Sequence, residues 1–185
     1  MTKAQLTVLA GPTAVGKGTV VAALTKRFPT LNVSISATTR DPRPGELNGV
    51  HYYFVSAQEF DAMIERGDML EWALVHGKNK YGTPRGPVDD ALAAGKPVLL
   101  EIDLAGARQV RSTRPDAQFI FLAPPSWEEL EHRLIGRGTE SPEEQARRLA
   151  TARVELEAAS EFDHVVINDD VERAVDELAR LIGLE

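Results

Sequence analysis

Nine residues constrain this chain more than any others: Gly11-Pro12-Thr13-Ala14-Val15-Gly16-Lys17-Gly18-Thr19. They follow an apolar, β-prone stretch, Leu6-Thr7-Val8-Leu9-Ala10, and run straight into a helical pattern. Strand, glycine-rich turn, lysine and helix together make the context that a phosphate-binding loop requires. At a helix N-terminus the unpaired backbone N–H groups converge on one spot, and the helix dipole adds partial positive charge there. Gly11 and Gly16 let the backbone curl around phosphate oxygens, and Lys17 supplies a point charge for the β- and γ-phosphates. Glycines and one lysine could also merely close a strand–helix turn; the full spacing behind a strand favours the phosphate. Gly18 stands where such loops usually carry Ser or Thr, whose hydroxyl binds Mg²⁺. A metal must therefore find its ligands elsewhere, although Thr19 offers a hydroxyl one residue later.

The 185 residues suffice for one domain with a sizeable core and fit two poorly. The net charge of −7 argues against a general nucleic-acid or acidic-membrane surface, so an anionic ligand must be held by a local cluster. The absence of cysteine excludes a disulfide framework, a thiolate nucleophile and a Cys-based zinc site. The apolar run before Gly11-Pro12 is too short for a signal-peptide core, and no stretch is long enough to span a bilayer. The cytoplasm is the expected location. Without a secretory signal, the sequon Asn32-Val33-Ser34 reads as chance. The histidines (51, 76, 132, 164) lack metal-ligand spacing.

Apolar strand candidates at 6–10, 98–102, 118–122 and 164–167 alternate with helical patterns at 17–27, 88–94, 104–113, 127–135, 142–160 and 171–182. The alternation predicts an α/β fold: a mostly parallel sheet flanked by helices, with ligands at the carboxyl ends of its strands. Residues 36–83 break the rhythm with Tyr, Arg, Gly and short strand-like pieces such as His51-Tyr52-Tyr53-Phe54-Val55, which suggests an inserted lobe. Ser126-Trp127-Glu128-Glu129 and Ser141-Pro142-Glu143-Glu144 both match the capping box. They open two helices joined by Arg137-Gly138-Thr139-Glu140, a pattern that suits a mobile lid.

Arg40 and Arg43, three apart between proline and glycine, can converge on one phosphate, or can pair with Asp41 and Glu46 in a solvated loop. Around them the chain resembles guanylate kinases. The motifs are Thr38-Thr39-Arg40-Asp41-Pro42-Arg43-Pro44-Gly45-Glu46, Asn48-Gly49-Val50-His51-Tyr52, Leu70-Glu71-Trp72-Ala73 and Tyr81-Gly82-Thr83. Further on come Glu101-Ile102-Asp103-Leu104-Ala105-Gly106, Phe121-Leu122-Ala123-Pro124-Pro125-Ser126, Gly136-Arg137-Gly138-Thr139-Glu140 and Val166-Ile167-Asn168-Asp169. They stand in family order and cover essentially the whole chain.

The resemblance implies a P-loop NTPase-type sheet with a core of about residues 1–35, 86–125 and 162–185. It adds a GMP-binding lobe of about 36–85 and a helical lid of about 126–161. By position, Arg40, Arg43, Tyr52 and Tyr81 would hold the GMP phosphate, while Ser36, Glu71 and Thr83 would read guanine. A carboxylate suits guanine because N1–H and the exocyclic amine are adjacent donors that one acceptor-only group can take, whereas adenine offers no such pair. Without the family, Glu71 reads as a strand-edge residue beside a core aromatic.

Glu101 and Asp103 end a strand where P-loop proteins place an acid that manages Mg²⁺ or its water shell. The family also lets these two touch GMP, and one of them can serve as a helix cap. Arg137 and Arg148 resemble lid arginines that reach the transferring phosphoryl group. Arg148 can instead pair with Glu144 four residues earlier, as Arg133 can with Glu129. Asn168 would line the adenine pocket.

The expected reaction is ATP + GMP ⇌ ADP + GDP with ATP as co-substrate and Mg²⁺, without nucleic-acid, membrane or obligate protein partners. Two rivals are weighed. A non-catalytic guanylate-kinase-like interaction module typically loses the phosphate loop, which is intact here. A kinase of ribose phosphates would not need Glu71 with Ser36, Thr83 and the tyrosines.

Overall fold

Five consecutive buried residues, Leu6–Ala10, form β1, as befits a central parallel strand covered on both faces. A computed structural model describes residues 4–136 and 138–185. β1 lies between β7 (Val98–Glu101) and β8 (Gln118–Ala123), with β2 (Asn32–Val33) and β9 (His164–Ile167) at the edges. All pairings in this sheet are parallel, in the order β2-β7-β1-β8-β9.

Strand alternation sends Leu9 to one face, where it packs with Val20 and Leu24 of α1 (Lys17–Arg27) and Leu178 of α7 (Val171–Ile182). Leu6 and Val8 face the other side, against Val88 of α3 (Arg85–Ala93) and Val110 of α4 (Leu104–Thr113).

A second sheet grows between β2 and α3. Its order is β4 (Tyr53–Phe54), β3 (Ala37–Thr38), β6 (Asn79–Pro84) and β5 (Met69–Val75). β3 and β4 are parallel and the other pairs antiparallel. α2 (Ala57–Glu65) closes it by burying Phe60 edge-on against Trp72. A helical hairpin, α5 (Trp127–Ile135) and α6 (Pro142–Glu157), follows β8 and shares a small core of Leu130, Leu134 and Ala152. Ser126 and Ser141 accept from the backbone N–H of Glu129 and Glu144, both at 3.2 Å, as their sequence signatures predict.

Four helices (17–27, 104–113, 127–135, 171–182) and two strands (6–10, 164–167) stand where periodicity puts them. The helix expected at 88–94 starts at Arg85, with Pro87 tolerated in its first turn. The helix expected at 142–160 stops at Glu157 and tightens into one 3₁₀ turn, Ala158–Glu161. The strand at 98–102 ends at Glu101, and that at 118–122 runs on to Ala123. β2 and α2 are additions. β2 is two residues long and carries no period. α2 had the same Ser-x-x-Glu signature as α5 and α6: Ser56 Oγ accepts from Glu59 N at 3.0 Å. Among the described residues no helix is long and apolar enough to cross a membrane.

Candidate active site

The glycine-rich loop leaves the carboxyl end of β1 and is held from behind. At Gly11 a Cβ would stand 2.4 Å from the Leu122 carbonyl oxygen, so only glycine lets the chain pass β8. Gly16 caps α1 in the left-handed region, at φ 95°. Ala14 shares that region at φ 68°, uncommon for a residue with a Cβ. The Val15 carbonyl accepts from Asn168 Nδ2 at 2.8 Å and from the Arg133 guanidinium at 3.2 Å, which fixes the peptide plane at the head of the helix. Buried Asn168, expected at the adenine pocket, thus braces the loop. Pro12 and Val15 are buried, whereas Thr13, Gly18 and Thr19 are exposed at the rim.

Lys17 folds over the loop. Its Nζ donates to the Ile102 carbonyl at 3.0 Å and to that of Gly11 at 3.5 Å. Burial lowers its pKa, against the attraction of Glu101, Asp103 and Glu155. Glu155, on α6, accepts from the Thr13 backbone N–H at 3.3 Å. Burial pushes its carboxyl up, opposed by that hydrogen bond and by Lys17. No local pattern in the sequence marks Glu155, because its partner lies 142 residues away.

Asp103 caps α4, accepting from Gly106 N at 2.7 Å, so the capping reading holds for this residue. Glu101 stands exposed at the end of β7. Among the described residues no three acidic or histidine side chains come together to hold a metal by themselves. Mg²⁺ keeps several waters and needs only one or two carboxylates beside substrate phosphates, so Glu101 and Asp103 next to Lys17 fit it.

On the second sheet Arg40, Tyr52 and Tyr81 come together. Arg40 stacks over the Tyr52 ring at 5.4 Å, and the Tyr52 and Tyr81 rings are 5.9 Å apart. Glu46 grips Arg40 with two hydrogen bonds of 3.0 Å and also accepts from Arg43 N at 2.8 Å. Arg40 holds Glu46 down to about 2 and is itself pushed up by it. Arg43's side chain is exposed.

On β5, Glu71 Oε1 accepts from buried Thr83 Oγ1 of β6 at 2.7 Å. Its other oxygen and Asp103 Oδ1 both stand 3.1 Å from where a Cβ on Gly106 would be. Burial raises Glu71, Asp103 adds to the rise, and Thr83 opposes it. Ser36 is half-buried beside them, its carbonyl accepting from Tyr53 N.

Arg148 is not brought to the loop. It pairs with Glu140 at 2.6 Å and not with Glu144, whose backbone N–H stays with its cap, Ser141. Arg133 pairs with Glu129 as its spacing predicts, while reaching the loop as well. Arg137 lies outside the described residues.

A glycine-rich loop with a half-buried lysine, ending the central strand of a parallel sheet, defines a P-loop NTPase fold, and the Arg40 and Glu71 clusters of the second sheet suit a nucleotide phosphotransferase. The family model for guanylate kinase matches residues 3–185. A guanylate kinase of Cutibacterium acnes is 59% identical over 177 residues, covering 96% of this chain and 89% of its own. One of Thermobifida fusca is 60% identical over 179 residues, covering 97% and 91%. The crystal structure of guanylate kinase from Anaplasma phagocytophilum superposes with TM-score 0.74 at 31% identity, over 99% of this chain and 86% of that one. The chain belongs to the guanylate kinase family.

Proposed function

We propose that the residues above divide the guanylate kinase reaction, ATP + GMP ⇌ ADP + GDP, among three parts of the chain. The core comprises about residues 1–35, 86–125 and 162–185, the GMP-binding lobe about 36–85, and the lid about 126–161. A GMP phosphate oxygen attacks the γ-phosphorus in line; its bond to phosphorus forms as the β–γ bridge breaks and ADP leaves. Two like charges about 4 Å apart repel by roughly 4 kcal/mol at an effective dielectric near 20, so bringing two phosphates together demands cations.

Lys17 and the N–H groups of residues 11–19 take the ATP phosphates. Arg40, Arg43, Tyr52 and Tyr81 take the GMP phosphate, and Arg137 and Arg148 arrive from the lid. Glu101 and Asp103 would hold Mg²⁺ or its water shell and flank GMP; the ion would supply positive charge that offsets that of the phosphates. No general base is needed, since the GMP phosphate is already ionised. Catalysis is positioning plus electrostatics. Ser36, Glu71 and Thr83 read guanine, the base that dGMP shares with GMP. Lobe and lid close to exclude water, and small-angle scattering unchanged by both nucleotides together would count against closure. The setting is cytoplasmic GMP recycling.

The observation that carries this reading is the Glu71–Thr83 pair beside Asp103, at the same sheet end as Lys17. The test is ADP production from ATP–Mg²⁺ with GMP, dGMP, AMP, CMP, UMP or ribose 1,5-bisphosphate. Rapid turnover with GMP and dGMP alone supports it. Equal turnover with AMP removes the base pocket, and no turnover in folded, ATP-binding protein restores the interaction-module reading.

A further inference from the structure

β5 is the edge strand of the second sheet, and its outward backbone groups would be unpaired but for α4. The Gln109 side chain meets both groups of one residue. Trp72 N donates to Gln109 Oε1 at 3.0 Å, and Gln109 Nε2 donates to the Trp72 carbonyl at 2.9 Å. One turn further, Thr113 Oγ1 donates to the Leu70 carbonyl at 2.9 Å. An amide presents one donor and one acceptor at the spacing of a strand neighbour, so Gln109 stands in for a missing residue of sheet. Leu70 and Trp72 bracket Glu71, whose own register partner is Thr83 on β6. The helix that holds both flanks of Glu71 also begins at Asp103.

We propose that Gln109 is a positioning residue for guanine selection: through the Trp72 backbone it fixes the Glu71 carboxylate relative to Asp103 and the GMP phosphate. This rests on the reading of Glu71 as the guanine reader. Gln109 touches no substrate; it sets where Glu71 stands. A carboxylate displaced by a fraction of an ångström meets one guanine donor well and the other poorly, so the loss falls on the base contact. The ATP side, anchored on β1 and β8, is untouched.

The experiment compares Gln109→Leu, Thr113→Val and Glu71→Gln for KM of GMP, KM of ATP, kcat, and the preference for GMP over IMP. IMP lacks the exocyclic amine, so that preference reads the second guanine donor directly. Gln109→Leu is expected to raise KM for GMP about tenfold and to shrink the GMP/IMP ratio, with KM for ATP unchanged. Thr113→Val does the same more weakly, and it keeps the test available if Gln109→Leu does not fold. Two results overturn the proposal while sparing Glu71: a GMP/IMP ratio unchanged in Gln109→Leu (or in Thr113→Val, where only that variant folds) while Glu71→Gln abolishes it, or losses spread equally over both substrates and thermal stability. If Glu71→Gln leaves the ratio unchanged, the reader assignment itself fails, and the proposal with it.

Discussion

Two cationic centres in this chain each face a carboxylate, and the pairs are built differently. Arg40 and Glu46 lie six residues apart on one loop, joined by two hydrogen bonds, with side chains 13% and 19% exposed. Glu155 comes to the Lys17 loop from another element 142 residues away, through a single 3.3 Å bond to Thr13 N. It acts on Lys17 by charge. A short, bidentate partner on the same loop orients its arginine and leaves with it. A long-range carboxylate resting on an N–H of the proposed phosphate loop would compete with the ligand. Glu46 shapes its site; Glu155 occupies one.

The largest effect should come from removing the cation at the occupied centre. Lys17→Ala is expected to lower kcat by about 10²–10³-fold, the usual loss when a group stabilising developing charge is deleted. GMP affinity, measured by calorimetry, should be nearly intact, because Arg40, Tyr52 and Tyr81 form a separate cluster. Loss of GMP binding would merge the two centres into one and break the comparison.

Next in size is Glu46→Ala. Without those two bonds Arg40 keeps its donation to the Asp41 carbonyl at 2.8 Å but loses its bidentate anchor, and KM for GMP should rise several-fold while KM for ATP holds. A fall in KM for GMP would mean that Glu46 competes as Glu155 does. Because Arg40 holds Glu46 down to about 2, this orientation persists through mildly acid solution and fails only as pH falls towards that value.

The contrast also explains how far the sequence was legible. The loop Gly11–Lys17 is readable because its chemistry is backbone geometry plus one charge within seven residues. Caps Ser126 and Ser141 are readable for the same reason of locality. Helix spacing offers Arg148 the partner Glu144 as the alternative to a lid role, and the partner it meets is Glu140, which precedes the cap Ser141. The bond from Asn168 to the Val15 carbonyl spans 153 residues and has no local signature. Gln109 and Glu155 left no local signal, because packing of distant elements decides both contacts. The α2 cap at Ser56 carries the same local signature, directly after the strand-like piece at 51–55.

Glu155→Gln sharpens the comparison more gently. With the charge gone, binding of ATP should tighten about two- to fivefold, the scale of one carboxylate acting at a helix N-terminus, and GMP binding should not change. Burial raises the Glu155 carboxyl, so it takes up a proton at higher pH than an ordinary carboxylate. The advantage of the variant over the wild type should therefore be full at neutral pH and shrink as pH falls towards the carboxylate range. An advantage that is constant with pH would remove charge as its cause, and weaker ATP binding would make Glu155 a partner of the bound nucleotide.

The smallest effect expected is at Gly18. A Cβ there would meet nothing nearer than Glu101 Oε1 at 3.9 Å, so steric crowding does not require glycine, in contrast to Gly11. Gly18→Ser adds the hydroxyl that other phosphate loops direct at Mg²⁺. The half-saturating Mg²⁺ for ATP binding should fall by about two- to threefold, as one more oxygen ligand joins the site proposed at Glu101 and Asp103. Gly18→Ala carries the Cβ without the oxygen and should match the wild type. If alanine and serine shift the Mg²⁺ requirement equally, the gain lies in the helix and not in the metal. The acids at the end of β7 would then be a sufficient metal site without the loop.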